Sequence, residues 1–163
     1  MPLPRLVRRL RQQLRGPWLA PLLRFYGPYF GAGVRVRAEG PFVFVATMPL
    51  TRWNRNYFGT HFGGSLYAMC DPFFALILTQ QLGRGYVVWD KSASIRFRRP
   101  GRGTVTARFA VDPAQVDAIR AEVDARGRVD VPFRVLVCDA AGEVVAEVDK
   151  VVHIRLGEQA AAT

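Results

Sequence analysis

The stretch NYFGTHFGGSLYAMCDP, residues 56–72, decides how this chain is read. A polar, glycine-rich loop runs into an apolar segment that continues as FFALILTQQL to Leu82. Leu66, Met69, Phe73 and Ile77, with Phe74 and Leu78 beside them, make the helix expected from about Gly64 to Leu82 apolar nearly all round. Such a helix is buried on most sides. One carboxylate, Asp71, stands within it, and Pro72 behind it should bend the helix by removing a ladder hydrogen bond. A buried ionised carboxylate is costly unless paired, and burial makes it a stronger base. The plainer alternative is an aspartate bonded to a neighbouring strand or facing water at the break.

Outward from this helix, period-two alternation marks six segments: Val34 to Arg37, Phe42 to Met48, Val87 to Arg98, Thr104 to Val111, Val131 to Val137 and Val144 to Ile154. In the third of these, Ala93, Ile95 and Phe97 share one face, opposite Ser92, Ser94, Arg96 and Arg98. Asp112-Pro113 reads as a helix start, with Val116, Ile119 and Val123 as its buried stripe. Five to six antiparallel strands wrapped around one long apolar helix describe an α+β fold with extra N-terminal helices. The expected division is a helical extension over residues 1–30, one domain over 31–157, and a disordered tail over 158–163.

Composition narrows the function classes. The 163 residues suit one domain. Cys70 and Cys138 lie in apolar runs and read as buried thiols. His61 and His153 lack partners at metal-ligand spacing, so no metal is expected. The excess of 23 Lys+Arg over 13 Asp+Glu invites a polyanion, but no nucleic-acid-binding motif accompanies it. Leu6, Leu10 and Leu14 give the N-terminus one apolar face among arginines. A helix packed over the domain is preferred there to peripheral membrane contact, and a cytoplasmic protein is expected.

Gly63-Gly64-Ser65 opens the central helix with unpaired N–H groups and the positive end of its dipole. Such a start can hold an anion, or a carbonyl oxygen that becomes negative during attack. Gly64 and Asp71, seven residues apart, lie roughly 10 Å apart along a helix rising ~1.5 Å per residue. One small carbonyl cannot touch both in a single chain. If both serve one reaction, a second chain must bring its helix alongside.

Asn56, Gly59, Thr60, Gly63, Gly64 and Asp71 resemble the Asn-x-x-Gly-Thr-x-His-Gly-Gly…Asp pattern of the PaaI-like acyl-CoA thioesterases of the hotdog superfamily. WDKSASIRFRRPGRG, residues 89–103, resembles the strand and turn that follow the helix there. From about Phe25 onward the chain is more closely similar to a bacterial hotdog branch catalogued as a domain of unknown function. That branch is related to the thioesterase domain at the C-terminus of some acetyltransferase fusions.

The resemblance implies a hotdog fold and roles for particular residues. Asp71 would be the general base or position the hydrolytic water. Gly63 N–H, from the other subunit, would polarise the thioester carbonyl, and Asn56 would orient thioester or water. Substrate contacts would fall on Thr60, His61, Phe62 and Gly64. Phe62 occupies the place of the pattern's histidine, with His61 one residue earlier. Asp90, beside Lys91, is a further candidate. Arg98, Arg99 and Arg102, with Arg96, are candidates for the phosphates of coenzyme A, or else form a solvated basic strand edge. No cofactor is implied beyond coenzyme A as part of the substrate. The assembly would be a homodimer or a dimer of dimers. Thioester hydrolysis leads this reading. The alternatives are a non-catalytic acyl-CoA or fatty-acid binding module and an acyl-thioester dehydratase or hydratase.

Overall fold

The computed structural model describes residues 19–157. The expectations for the basic segment ahead of residue 19 and for the tail lie outside the described residues. Two short helices, α1 (Leu19–Leu23) and α2 (Gly27–Ala32), lead into β1 (Arg35–Ala38) and β2 (Val43–Pro49). Next come α3 (Gly63–Ala68), α4 (Phe73–Leu82), β3 (Tyr86–Phe97) and β4 (Thr104–Ala110). The chain continues through α5 (Pro113–Arg126), β5 (Arg128–Cys138) and β6 (Val144–Leu156). The strands form one six-stranded sheet in the order β1-β2-β4-β5-β6-β3, every neighbouring pair antiparallel.

The sheet is pinched at its middle. β4 and β5 pair only through Thr106–Cys138 and Ala107–Val137. The first half of β5 therefore has no partner on that side, and Pro132 is tolerated there because no ladder bond to β4 is lost. α5 fills the opening. Asp112 caps it by accepting from Ala114 N–H at 2.7 Å, and Gly127, at φ 76°, ends it in the left-handed region that favours glycine. That single residue starts β5 at Arg128, three positions before the alternation begins. Arg120 on α5 donates its guanidinium to the Gln81 and Leu82 carbonyls at 2.8 and 3.0 Å, closing the end of α4.

The central helix is two helices rather than one. Asp71 N–H reaches back to the Ala68 carbonyl in a tight i−3 bond, and Pro72, which has no N–H, precedes the first turn of α4. The break spans Met69 to Pro72. Phe73, the first residue after it, has no exposed surface. Its ring centroid lies 4.5 Å from that of Phe109, 5.6 Å from Phe44 and 6.2 Å from Tyr29. This aromatic cluster joins α2, α4, β2 and β4. Phe73→Ala should therefore lower stability by about 3–5 kcal/mol, read as a lower midpoint in chemical denaturation.

Alternation placed most strand faces as expected; Val105, Ala107 and Phe109 are buried. Cys70 is buried, whereas Cys138, at the strand end, is only partly so. β3 differs most. Ala93 and Phe97, on its inward face, are exposed, because β3 is the sheet edge and nothing in the described chain covers its second half.

Candidate active site

The loop before α3 is built by two asparagines. Asn54, 1% exposed, donates to the carbonyls of Ala32 and Pro49 at 2.7 and 2.8 Å and accepts from Thr51 N–H at 2.8 Å. Asn56 donates to Thr60 Oγ1 and the His61 carbonyl and accepts from the N–H groups of Phe58 and Thr60. Both N–H groups and both lone pairs of the Asn56 amide are thus committed within the loop. These bonds shape the turn, in which Gly59 takes φ 77°.

His61 braces the same loop. Its ring is buried, with Nε2 2.9 Å from the Gly103 carbonyl and Nδ1 without a partner, so it clamps the loop to the β3–β4 turn. Burial holds the imidazole below its usual range, partly offset by the Gly103 bond. The unfolded chain then takes up a proton, at an ordinary value near 6.5, that the folded chain accepts only at lower pH. The associated stability is complete above that value and is lost as pH falls below about 6.5. His61→Gln, which keeps a donor for Gly103, should show a shallower fall in urea midpoint between about pH 7.5 and 5.5 than wild type.

α3 begins at Gly63, with Phe62 in an extended N-cap conformation. Among the described residues no acceptor lies on the Gly63 or Gly64 N–H; the Phe62 carbonyl takes the next two, from Ser65 and Leu66. A Cβ at residue 63 would stand 2.8 Å from the Phe97 ring, and one at residue 64 would stand 2.4 Å from the Phe62 ring. Packing alone thus favours both glycines. Phe62 itself is 56% exposed.

A cleft of about 580 Å³ opens at this helix start, lined by Asn56, Thr60, His61, Gly63, Arg98, Arg99 and Arg102 among others. Seven of the residues singled out in the sequence therefore share one wall system. Arg98 pairs with Glu147 at 2.8 Å and Arg99 with Glu143 at 2.7 Å, both in exposed pairs. Arg102 has no carboxylate partner among the described residues.

Asp71 does not line this cleft. It is not the buried carboxylate expected, because the helix break carries it outward and leaves its side chain 51% exposed. Its Oδ1 accepts from the Tyr67 hydroxyl at 2.9 Å and lies 3.3 Å from Lys150 Nζ. Lys150 also donates to the Asp71 main-chain carbonyl and, at 2.8 Å, to Asp90 Oδ2. Asp90 and Lys91 are not each other's partners. They are consecutive strand residues beside a bulge between Asp90 and Ser92, and Lys91 pairs with Asp130. Burial raises the affinity of Asp90 for a proton and Lys150 opposes this. Burial first, and the bond to Asp71 second, push the Tyr67 hydroxyl up to about 12, so it remains a donor at neutral pH. Burial likewise pushes the Cys70 thiol up to about 12.

Lys150 went unread in the sequence, although a signal existed. It occupies the inward slot of the alternation Val148, Lys150, Val152, Ile154, where an apolar residue belongs.

Among the described residues no group of three His, Cys, Asp or Glu could hold a metal ion, and no helix is long and apolar enough to cross a membrane.

An antiparallel sheet packed on a broken apolar helix, entered through a glycine-rich loop, has the hotdog fold of the PaaI-like thioesterase superfamily. Residues 19–154 match the family described as a domain of unknown function, DUF4442, and the chain belongs to that family. A Pseudomonas aeruginosa protein of unknown function, named a probable thioesterase, is 25% identical, with a TM-score of 0.74 over 96% of this chain and 99% of that one. The PaaI protein of the Escherichia coli phenylacetic acid degradation operon is 20% identical, with a TM-score of 0.60 over 86% and 94% of the two chains. A Haemophilus influenzae thioesterase is 17% identical, with a TM-score of 0.61 over 83% and 87%. No curated protein matches the sequence.

Proposed function

We propose that the protein hydrolyses an acyl-CoA-type thioester at a site shared by two chains. The observation that carries this reading is the division of labour at Asp71. Oδ1 is held by Tyr67 and Lys150, while Oδ2 has no partner among the described residues in a half-exposed side chain. A water oxygen attacks the thioester carbonyl carbon as its proton passes to Asp71 Oδ2. The resulting oxyanion is held by Gly63 N–H of the second chain. The C–S bond then breaks, the proton returns to the thiolate sulfur, and carboxylic acid and thiol leave.

Two features support a second chain. Asp71 lies away from the cleft that Gly63 lines. β3 is a 12-residue edge strand carrying exposed Trp89 and Phe97. Long apolar edges of this kind are ordinarily covered, and pairing of two β3 strands would bring two broken helices together. Arg98, Arg99 and Arg102 suit the phosphates of coenzyme A, since exposed ion pairs such as those to Glu147 and Glu143 are weak enough to exchange. Thr60, Phe62 and Gly64 then border the acyl thioester, and Asp90 acts behind Asp71. The dehydratase reading is disfavoured by His61, whose Nε2 is already taken by Gly103. The test is thiol release from acyl-CoAs of graded length and shape. Turnover is expected, and its absence across the panel from a folded protein would remove the proposal.

A further inference from the structure

Lys150 lies on β6 with no side-chain surface exposed. A buried ammonium is costly unless all three of its N–H groups find acceptors. Here they do, and two of the three belong to Asp71, the main-chain carbonyl and Oδ1; the third is Asp90 Oδ2. The carbonyl contact tells most. Leu76 N–H bonds to the Pro72 carbonyl, so the ladder of α4 starts one residue too late to use the carbonyl of Asp71. Lys150 supplies the missing donor and so fixes the backbone where the helix is interrupted. Without it, a peptide oxygen at the helix break and two facing carboxylates would stand uncompensated.

We propose that Lys150 is the positioning residue of this site: it pins the break between α3 and α4, fixes Asp71 Oδ1 so that Oδ2 is the oxygen that takes the proton from water, and shares its charge between Asp71 and Asp90. This rests on Asp71 being the base. It is a role for a residue outside the loop pattern, on a strand 79 positions away.

The groups facing Lys150 come from several elements. Tyr67 of α3 places its ring centroid 5.9 Å from Nζ. Cys70 lies in the break, and burial holds both it and the nearby Tyr29 hydroxyl of α2 in their neutral forms. Asp90 comes from β3. The charged groups of the cluster, among the described residues, are therefore Lys150, Asp71 and Asp90. Removing the cation leaves two carboxylates repelling each other and favours the protonated form of Asp71. Removing the Asp90 charge leaves Lys150 to Asp71 and favours the ionised form. The two changes act in opposite directions, which a lysine serving only to fill space would not produce.

The experiment is carbon NMR titration of the aspartate carboxyls in wild type, Lys150→Met and Asp90→Asn, with the Asp71 signal assigned by its loss in Asp71→Asn. The Asp71 midpoint should move upward in Lys150→Met and downward in Asp90→Asn. The acid limb of kcat/KM should follow in the same directions. In Lys150→Met, kcat should drop about 10²-fold with little change in KM, the cost of a misplaced base. A folded Lys150→Met in which Asp71 titrates as in wild type would overturn the proposal, as would movement in one direction in both variants. Should Lys150→Met fail to fold, Asp90→Asn decides alone, because an unmoved or raised midpoint refutes charge sharing. Turnover that survives in Asp71→Asn would instead remove Asp71 from the chemistry, and the titration reports on the lysine independently of it.

Discussion

Asp71→Asn is expected to lower kcat for thioester hydrolysis by about 10²–10⁴-fold, the contribution of a positioned general base. The substitution is nearly isosteric. The amide oxygen can still accept from Tyr67 and Lys150, as Oδ1 does now, but the group in place of Oδ2 can no longer take a proton. Because the side chain is half exposed, the fold should tolerate the change, with an unaltered circular dichroism spectrum and a melting temperature within a few degrees. Three outcomes separate the readings. Collapse of turnover with acyl-CoA binding retained places the base at Asp71. Full turnover in the variant removes Asp71 from the chemistry. Binding without turnover in both proteins selects the non-catalytic module, with the Lys150–Asp71 contact serving only to hold the helix break.

Much of the architecture was legible because it is written locally. Period-two alternation marks the six strands. α5 announces itself through Asp112-Pro113 at one end and Gly127 at the other, each acting within two residues of itself. The fate of the polar residues was not legible in this way. Asn56 and His61 sit in a recognisable loop pattern, but what they bond depends on where the chain turns. Asn56 is consumed by the peptide groups of residues 58 to 61, and His61 is consumed by a carbonyl 42 positions away. Asp71 was legible as an anomaly, and its environment was not. A proline after a carboxylate can bend a helix or end it; the chain ends one helix and starts another, which turns a buried charge into a half-exposed one. Its counter-ion sits on the last strand, beyond the reach of any local rule. Even so, Lys150 breaks an inward alternation as visibly as Asp71 breaks an apolar helix, and two misplaced charges of opposite sign are a reason to pair them. The face of β3 failed for a different cause. Its alternation is sound, but the surface it would bury against is not within the described chain.

That missing surface leads to the most discriminating prediction, active-site complementation between two inactive variants. Gly63→Pro should remove the proposed oxyanion donor while keeping α3. Residue 63 is the first helical position, where proline is favoured, and Phe62 already has the extended ψ of 127° that a following proline requires. The new ring would approach the far end of the exposed Phe97 side chain, which must shift to admit it. Alone, Gly63→Pro should cost about 10²–10³-fold in kcat, the usual loss for one oxyanion donor. Mixed in equal amounts with Asp71→Asn and reassembled from unfolded chains, the two should regain activity. Random pairing makes about half of the dimers hybrid, each with one site carrying intact Asp71 from one chain and intact Gly63 from the other, so about a quarter of wild-type activity should return. A site contained within one chain predicts no recovery, because every chain in the mixture lacks one of the two groups. Recovery would tie the exposed edge of β3, the separation of Asp71 from the Gly63 cleft and the thioesterase reading to one cause. No recovery, with hybrid dimers demonstrated by mass spectrometry, would mean that the carboxylate and the glycine do not meet on one substrate.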